Sequence, residues 1–212
     1  HKHRWRPGVV PDKGTMLDYY RGVLDEVRAG FGGKSLNDQE RYLLRYVIHH
    51  HQMHIESLLW ARQTLGYPAP SFATLNDDLP KGTGISGDAL VEGGEYDLGM
   101  PSLSSGEFSF DSERPGHQVT LRSFSIAKTL VTNREFLEFV EDGGYRDQSV
   151  WDFGGQCWLL EGNGGQREMP AYWRRDKSGV WRHRKFDVWE DLPLDAPALH
   201  VSVWEAEAFC RW

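Results

Sequence analysis

The densest chemical signal in the chain is the run IHHHQMHIES at residues 48–57, which holds four of the nine histidines. Neutral imidazole is a common ligand for transition metals. On a helix of about 100° per residue, His50 and His54 stack one turn apart and within about 40° of each other. An i, i+4 pair of this kind can grip one metal ion. His51 points to the same inner side and pairs with His54 at i, i+3, whereas His49 and Glu56 point outward. The alternative is a set of core histidines satisfied by backbone or water. Burying several imidazoles without a shared partner repeats the desolvation cost at each one, which favours a common ligand. Two imidazoles do not complete a redox-active iron(II) centre. Such a centre takes three protein ligands in a facial arrangement and keeps positions open for O₂ and substrate. None of His1, His3, His117, His183 and His200 has a spacing that marks it as the third ligand.

The elements that must position these residues can be read from period and punctuation. Residues 15–29 read as an amphipathic helix with Met16, Tyr19, Tyr20, Val23, Leu24 and Val27 on one side. Thr15 is its expected cap, and Gly30 lies just past its expected end. A second helix is expected from Ser35 to Thr64. A Ser35–Asp38 capping box should start it, Leu43, Leu44, Val47, Ile48, Leu58 and Leu59 should line its inner face, and Gly66 and Pro68 should stop it. The two make an antiparallel helix pair. Pro, Gly, Ser, Asn and Asp then dominate to Gly87, as in a linker or surface loop. Beyond it, short apolar runs alternate with turn residues: YDLGM, QVTLRSFSIA, VWRHRKF and ALHVSV. Short helices are expected near Asn133–Glu141, capped by Thr132 or Asn133, and near Glu205–Trp212, capped by Ser202. Phe136, Phe139 and Val140 should face the core. The stretch from Gly143 to Met169 shows no clear period. The fold class is α+β: a helical domain at 1–67, a linker at 68–88 and a mixed domain at 89–212.

Composition removes several classes of function. The net charge of −7 disfavours a phosphate backbone, so no nucleic-acid partner is expected. No stretch approaches eighteen consecutive apolar residues, so no membrane span is expected. No charged start followed by an apolar run marks a secretory signal. Two cysteines, Cys157 and Cys210, make no disulfide scaffold. Both are expected as free thiols in a cytoplasmic protein, with Cys210 as a small core residue on its helix.

The segment HHQMHIESLL (50–59) resembles the His-x-x-x-His-x-Glu signature of the DinB-like domain in EgtB-type sulfoxide synthases. GGEYDLG (93–99), DSERPGHQVTLRSFSIAKTLVTNREFLEFVEDGGY (111–145) and HVSVWEAEAFCRW (200–212) resemble the formylglycine-generating-enzyme-type domain, in that family's order. The resemblance covers roughly residues 15–212. It implies a partial DinB-like bundle followed by a partial formylglycine-generating-enzyme-type domain of C-type-lectin-like architecture. The last two blocks read as scaffold rather than as carriers of catalysis.

The resemblance also implies a function. Iron(II) would be held by His50 and His54, with His51 outside the ligand set. A third histidine would come from an earlier helix, and a catalytic Tyr from beyond the C-terminal end. The chain is thus expected to lack part of each domain and to be inactive by itself. The reaction implied joins the sulfur of a thiol donor to the imidazole of hercynine, using O₂. Arg4 and Arg6 fall where a donor carboxylate is bound in some members, a task suited to bidentate guanidinium. Met53 stands where Gln often contacts the betaine. Met53 together with QTLGYPAP (63–70) resembles the related selenoneine synthases, so a selenium donor is the alternative. The competing classes are a non-catalytic ligand-binding module of lectin-like fold and a zinc or nickel DinB-type hydrolase.

Overall fold

The computed structural model describes residues 8, 10–71, 87–100, 108–161 and 167–212. The chain divides into two units, His1–Met53 with Pro101–Arg114, and His54–Met100 with Pro115–Trp212.

In the first unit, α1 spans Lys13–Phe31. Its cap is Asp12 rather than Thr15. The Asp12 carboxylate accepts from the backbone of Gly14 at 2.8 Å and of Thr15 at 3.1 Å, and from the Thr15 hydroxyl at 2.7 Å. A carboxylate beside the helix dipole outcompetes a hydroxyl for this role. Those hydrogen bonds, the Thr15 hydroxyl first, hold Asp12 below the usual carboxylate range. The helix runs through Gly30 and ends against Gly32, whose N–H donates to Arg28 O at 2.8 Å.

α2 spans Asp38–Leu65 and carries the whole histidine run. Its start is a reciprocal pair two residues on from the expected box. Asn37 Oδ1 accepts from Glu40 N at 2.9 Å, and Glu40 Oε2 accepts from Asn37 N at 3.0 Å. Asn is as good a cap as Ser, and Glu reaches back further than Asp, so the register moves by two residues. Gly66, at φ +66°, ends the helix as expected.

The apolar faces expected of these helices are covered only at Leu24, Leu44 and Leu59, which are half-buried. α1 has no buried residue, and Met16, Tyr19, Tyr20, Val23 and Val27 are all exposed. Leu43, Val47, Ile48 and Leu58 of α2 are exposed as well. Periodicity identifies a face that gains by being covered. It does not supply the cover.

The second unit is built of short antiparallel pairings. β1 (Asp88–Val91) pairs with β4 (Phe124–Ala127), and β2 (Gly94–Leu98) pairs with β3 (His117–Leu121). β5 (Trp173–Arg175), β6 (Trp181–Lys185) and β7 (Val188–Asp191) form a three-stranded sheet. The apolar run at 198–203 forms no strand. His200 takes φ +61° there, which breaks an extended ladder, and Ser202 then caps a helix.

α3 (Asn133–Glu141) and α5 (Val203–Arg211) start with the caps their sequences announce. Thr132 pairs with Glu135 and Ser202 with Glu205 in two capping boxes. A further helix, α4 (Phe153–Leu160), lies in the stretch that shows no period. FGGQCWLL has two glycines in its first turn and apolar residues all round, so nothing amphipathic marks it. Asp152 caps it, accepting from Gly155 N at 2.7 Å.

The core lies among α3, α4, α5 and β5. Phe136, Phe139, Tyr145, Val150, Trp151, Leu159, Trp173, Leu192 and Ala208 are buried together. Phe136 stacks on Phe209 at 5.4 Å, and Trp151 on Trp158 at 6.1 Å. The Trp151 N–H donates to Gly144 O at 2.8 Å, which gives the buried indole its partner. Cys210 is exposed rather than in the core, because Ala208 and Glu205 take the inward positions of α5. Both cysteines are free.

Candidate functional site

The histidine run is helical throughout, so His50 and His54 stand one turn apart on α2 as the spacing requires. The side of the helix that carries Tyr42, Tyr46 and His49 lies roughly opposite the expected inner face, on the order of 140° around the axis at about 100° per residue. Tyr42, Tyr46 and His49 are half-buried, whereas His50, His51 and His54 are exposed. The cause lies in residues 108–114. Phe108 stacks on His49 at 4.5 Å and on Tyr42 at 5.6 Å. Phe110 meets Tyr46 edge-on at 5.4 Å. The Arg114 guanidinium lies over the Tyr42 ring at 4.9 Å and is held by Ser109 through two bonds of 2.6 Å. Aromatic rings fasten this segment to positions 42, 46 and 49, whereas the aliphatic side chains at 43 and 47 attract no cover.

The inward reading of His50, His51 and His54 is therefore corrected, and so is the outward reading of His49. Imidazole is amphipathic and packs on a phenyl face as readily as it faces water. His49 Nδ1 lies 3.0 Å from Gln52 Oε1, and the His50 ring stacks on Tyr46 at 6.0 Å. Met53, the residue before the second histidine of the pair, is 52% exposed. Arg4 and Arg6 lie outside the described residues. Among the described residues, no group of three His, Cys, Asp or Glu side chains could hold a metal. His50 and His54 thus offer two imidazoles and do not complete an iron site by themselves.

A second cluster, which the sequence did not announce, surrounds the C-terminal end of α2. Gln63 is the only residue of α2 described as buried. Its amide donates to Arg184 O at 2.8 Å and accepts from Phe186 N at 2.6 Å. Arg184 donates to Phe186 O at 2.5 Å and to Thr64 O at 3.4 Å, and lies 4.7 Å from the centre of the Tyr172 ring. The hydroxyls of Thr64 and Tyr172 are 3.1 Å apart. The His200 ring meets Tyr172 edge-on at 5.0 Å. Among the described residues, the non-glycine ones at positive φ are Tyr172 at 72°, Phe186 at 58° and His200 at 61°, and all three belong to this cluster. Positive φ at a bulky residue persists only where surrounding contacts impose it. No residue-type pattern encodes that, which is why the cluster was invisible in the sequence.

Two histidines here are biased toward the neutral form. Burial holds His200 below its ordinary value, and the nearby charges of Arg184 and His183 push the same way. Burial also lowers His183, against the opposing pull of Glu190. His183 Nε2 lies 2.9 Å from Glu190 Oε1, an ion pair when the imidazole is protonated. Among the described residues, no helix is long and apolar enough to cross a membrane.

Residues 77–212 match the family described as the sulfatase-modifying factor enzyme 1-like domain. The chain is 34% identical over 181 residues to the hercynine oxygenase of Mycolicibacterium smegmatis, covering 82% of this chain and 39% of that protein. It is 33% identical over 178 residues to the hercynine oxygenase of Mycolicibacterium thermoresistibile, covering 82% and 37%. A third, from Mycobacterium tuberculosis, is 38% identical over 104 residues, 49% of this chain and 23% of that protein. The chain thus spans less than half the length of the curated relatives it matches. These matches agree with the EgtB-type resemblance read from residues 93–145 and 200–212. By the family match over most of its length and by its mixed α+β fold, the chain belongs to the sulfatase-modifying factor enzyme 1-like domain family.

Proposed function

We propose that this chain is part of an iron(II)- and O₂-dependent oxidoreductase that forms a C–S bond on the imidazole of hercynine. The observation that carries the reading is the identity of about one third to proteins named hercynine oxygenase across 82% of the chain. The helical His50/His54 pair supports it, since a ligand-display module of lectin-like fold has no use for two imidazoles one turn apart. His50 and His54 supply two ligands, and a third comes from outside the described residues. Iron, when bound, supplies the O₂ chemistry. The chain's own residues bind and orient. Met53 borders the betaine, and Arg4 and Arg6 grip the carboxylate of the donor. In this reading residues 1–67 belong to a DinB-like helical domain and residues 89–212 to the formylglycine-generating-enzyme-type domain, joined by a linker at 68–88. The free thiols of Cys157 and Cys210 suit a reducing, cytoplasmic setting.

Met53 favours one second reading, in which the donor carries selenium rather than sulfur. The two are separated by turnover of the full-length protein with hercynine and either a thiol or a selenium donor. The metal assignment is tested by His50→Ala, His54→Ala and His51→Ala, each followed by anaerobic iron(II) titration. Loss of iron in the first two and retention in the third is expected. Full iron loading in all three variants would remove the metal from this helix.

A further inference from the structure

The Gln63 amide bonds to Arg184 O and Phe186 N, the two outward-facing groups of alternate residues at the β6–β7 turn. This is how one strand reads its neighbour in an antiparallel ladder, with a side-chain amide in place of a peptide. The turn it holds is strained, because Phe186 sits at φ +58° in a two-residue loop between Lys185 and Val188. Arg184 closes the same turn from the other side through Phe186 O, and it reaches the last carbonyls of α2 through Thr64 O. At Gly66 a Cβ would come within 2.9 Å of Arg184 Nη1, so the chain leaves α2 directly against this guanidinium. Three independent contacts therefore tie the end of α2 to one hairpin. A tie made by a single planar amide fixes the rotation of the helix about its own axis, not only its distance. Gln63 and His54 are nine residues apart. At about 100° per residue they project from opposite sides of α2.

We propose that Gln63 is a positioning residue: it latches α2 onto the β6–β7 hairpin and thereby turns the side bearing His54 away from the three-stranded sheet. The consequence for metal binding rests on the proposed function above, whereas the latch itself does not.

The test uses the full-length protein with Gln63→Leu, which keeps the bulk and removes both bonds. Tyr145→Phe, a core change remote from the latch, serves as the control, compared under conditions of equal global stability. Two quantities are measured: hydrogen exchange at Phe186 N–H and the last turn of α2, and anaerobic binding of iron(II) as the probe. Gln63→Leu is expected to speed exchange at Phe186 roughly tenfold and to weaken iron(II) binding by a similar factor, with Tyr145→Phe doing neither. Unchanged exchange at Phe186 in Gln63→Leu would overturn the latch. So would equal effects of the two variants, since that would make Gln63 merely structural. Faster exchange with unaltered iron(II) binding would overturn the positioning role. If the wild-type protein binds no iron(II) at all, the proposed function fails, and exchange at Phe186 still decides the latch.

Discussion

Single side chains decide more of the second unit's stability than their polarity suggests. Glu205 is 2% exposed, yet each of its carboxylate oxygens is used. One accepts from Ser202 N at 2.6 Å, and the other accepts a short bond from the Tyr145 hydroxyl. Burial, reinforced by the Glu205 charge, pushes the Tyr145 phenol far above its ordinary value, so it stays protonated and remains a donor. Tyr145→Phe strands a buried carboxylate oxygen. We expect a loss of about 1–3 kcal/mol, read as a lower denaturant midpoint with an unchanged slope. His183 and His200 set a different dependence. Their folded-state values lie below the unfolded ones, so the unfolded chain takes up protons first as pH falls. Their contribution is fully present above about pH 6.5 and is lost as pH drops through their depressed values. Hydrogen bonds, led by that from Ser178, hold Asp176 well below the carboxylate range, so its contribution is lost only at lower pH, below about 3.8. Thermal melts from pH 8 to pH 3 should therefore fall in two stages, and His200→Gln should flatten the upper one. A single stage below pH 4 in the wild-type chain would contradict this.

At the scale of elements, the helix starts of the second unit are written locally. Thr132/Glu135 and Ser202/Glu205 are capping boxes in sequence and in structure. Thr132→Ala and Ser202→Ala should each cost about 1 kcal/mol. A chemical-denaturation series checks this, and a loss above about 2 kcal/mol would mean that the caps also hold neighbouring segments. For Thr132 there is such a segment: Asn133 N and Arg134 N donate to Ala196 O and Leu194 O at 2.8 and 2.9 Å. The end of α2 behaves differently. Gly66 combines φ +66° with an Arg184 nitrogen where a Cβ would go. Gly66→Ala should cost about 1–2 kcal/mol through the backbone alone. It should also loosen Arg184 from Phe186 O, visible as faster exchange in the β6–β7 hairpin. The glycine was legible as a helix stop. Its second role, giving room to Arg184, was not, because the two residues are 118 positions apart.

For the whole molecule, the two units differ in how much surface each element buries. α3 and α5 contribute to the aromatic core, whereas α1 has no buried residue and only a few half-buried ones. A helix without tertiary cover is marginal in water, because its nucleation cost is repaid mainly by packing. Amides of α1 should therefore exchange on the order of 100-fold faster than those of α3 in this chain by itself. Similar protection in both helices would show that α1 is covered in solution.

What the sequence determined is what short-range physics determines. Helical period placed α1, α2, α3 and α5, glycine and capping residues placed the end of α2 and the starts of α3 and α5, and alternation placed β2, β3, β4 and β6. Residue blocks with that much local structure also carried the family resemblance. The tertiary structure decided which side of α2 is covered, because an apolar stripe states a preference while Phe108 and Phe110, some sixty residues away, choose Tyr42, Tyr46 and His49. It decided that FGGQCWLL is helical, since the Asp152 cap and the burial of Gly155 and Leu159 stabilise a segment with no amphipathic period. It also decided the cluster at Gln63, Arg184 and Tyr172, where strained backbone is held by partners more than a hundred residues apart. Contacts of that range depend on the final positions of several elements at once, and no local window of sequence contains them.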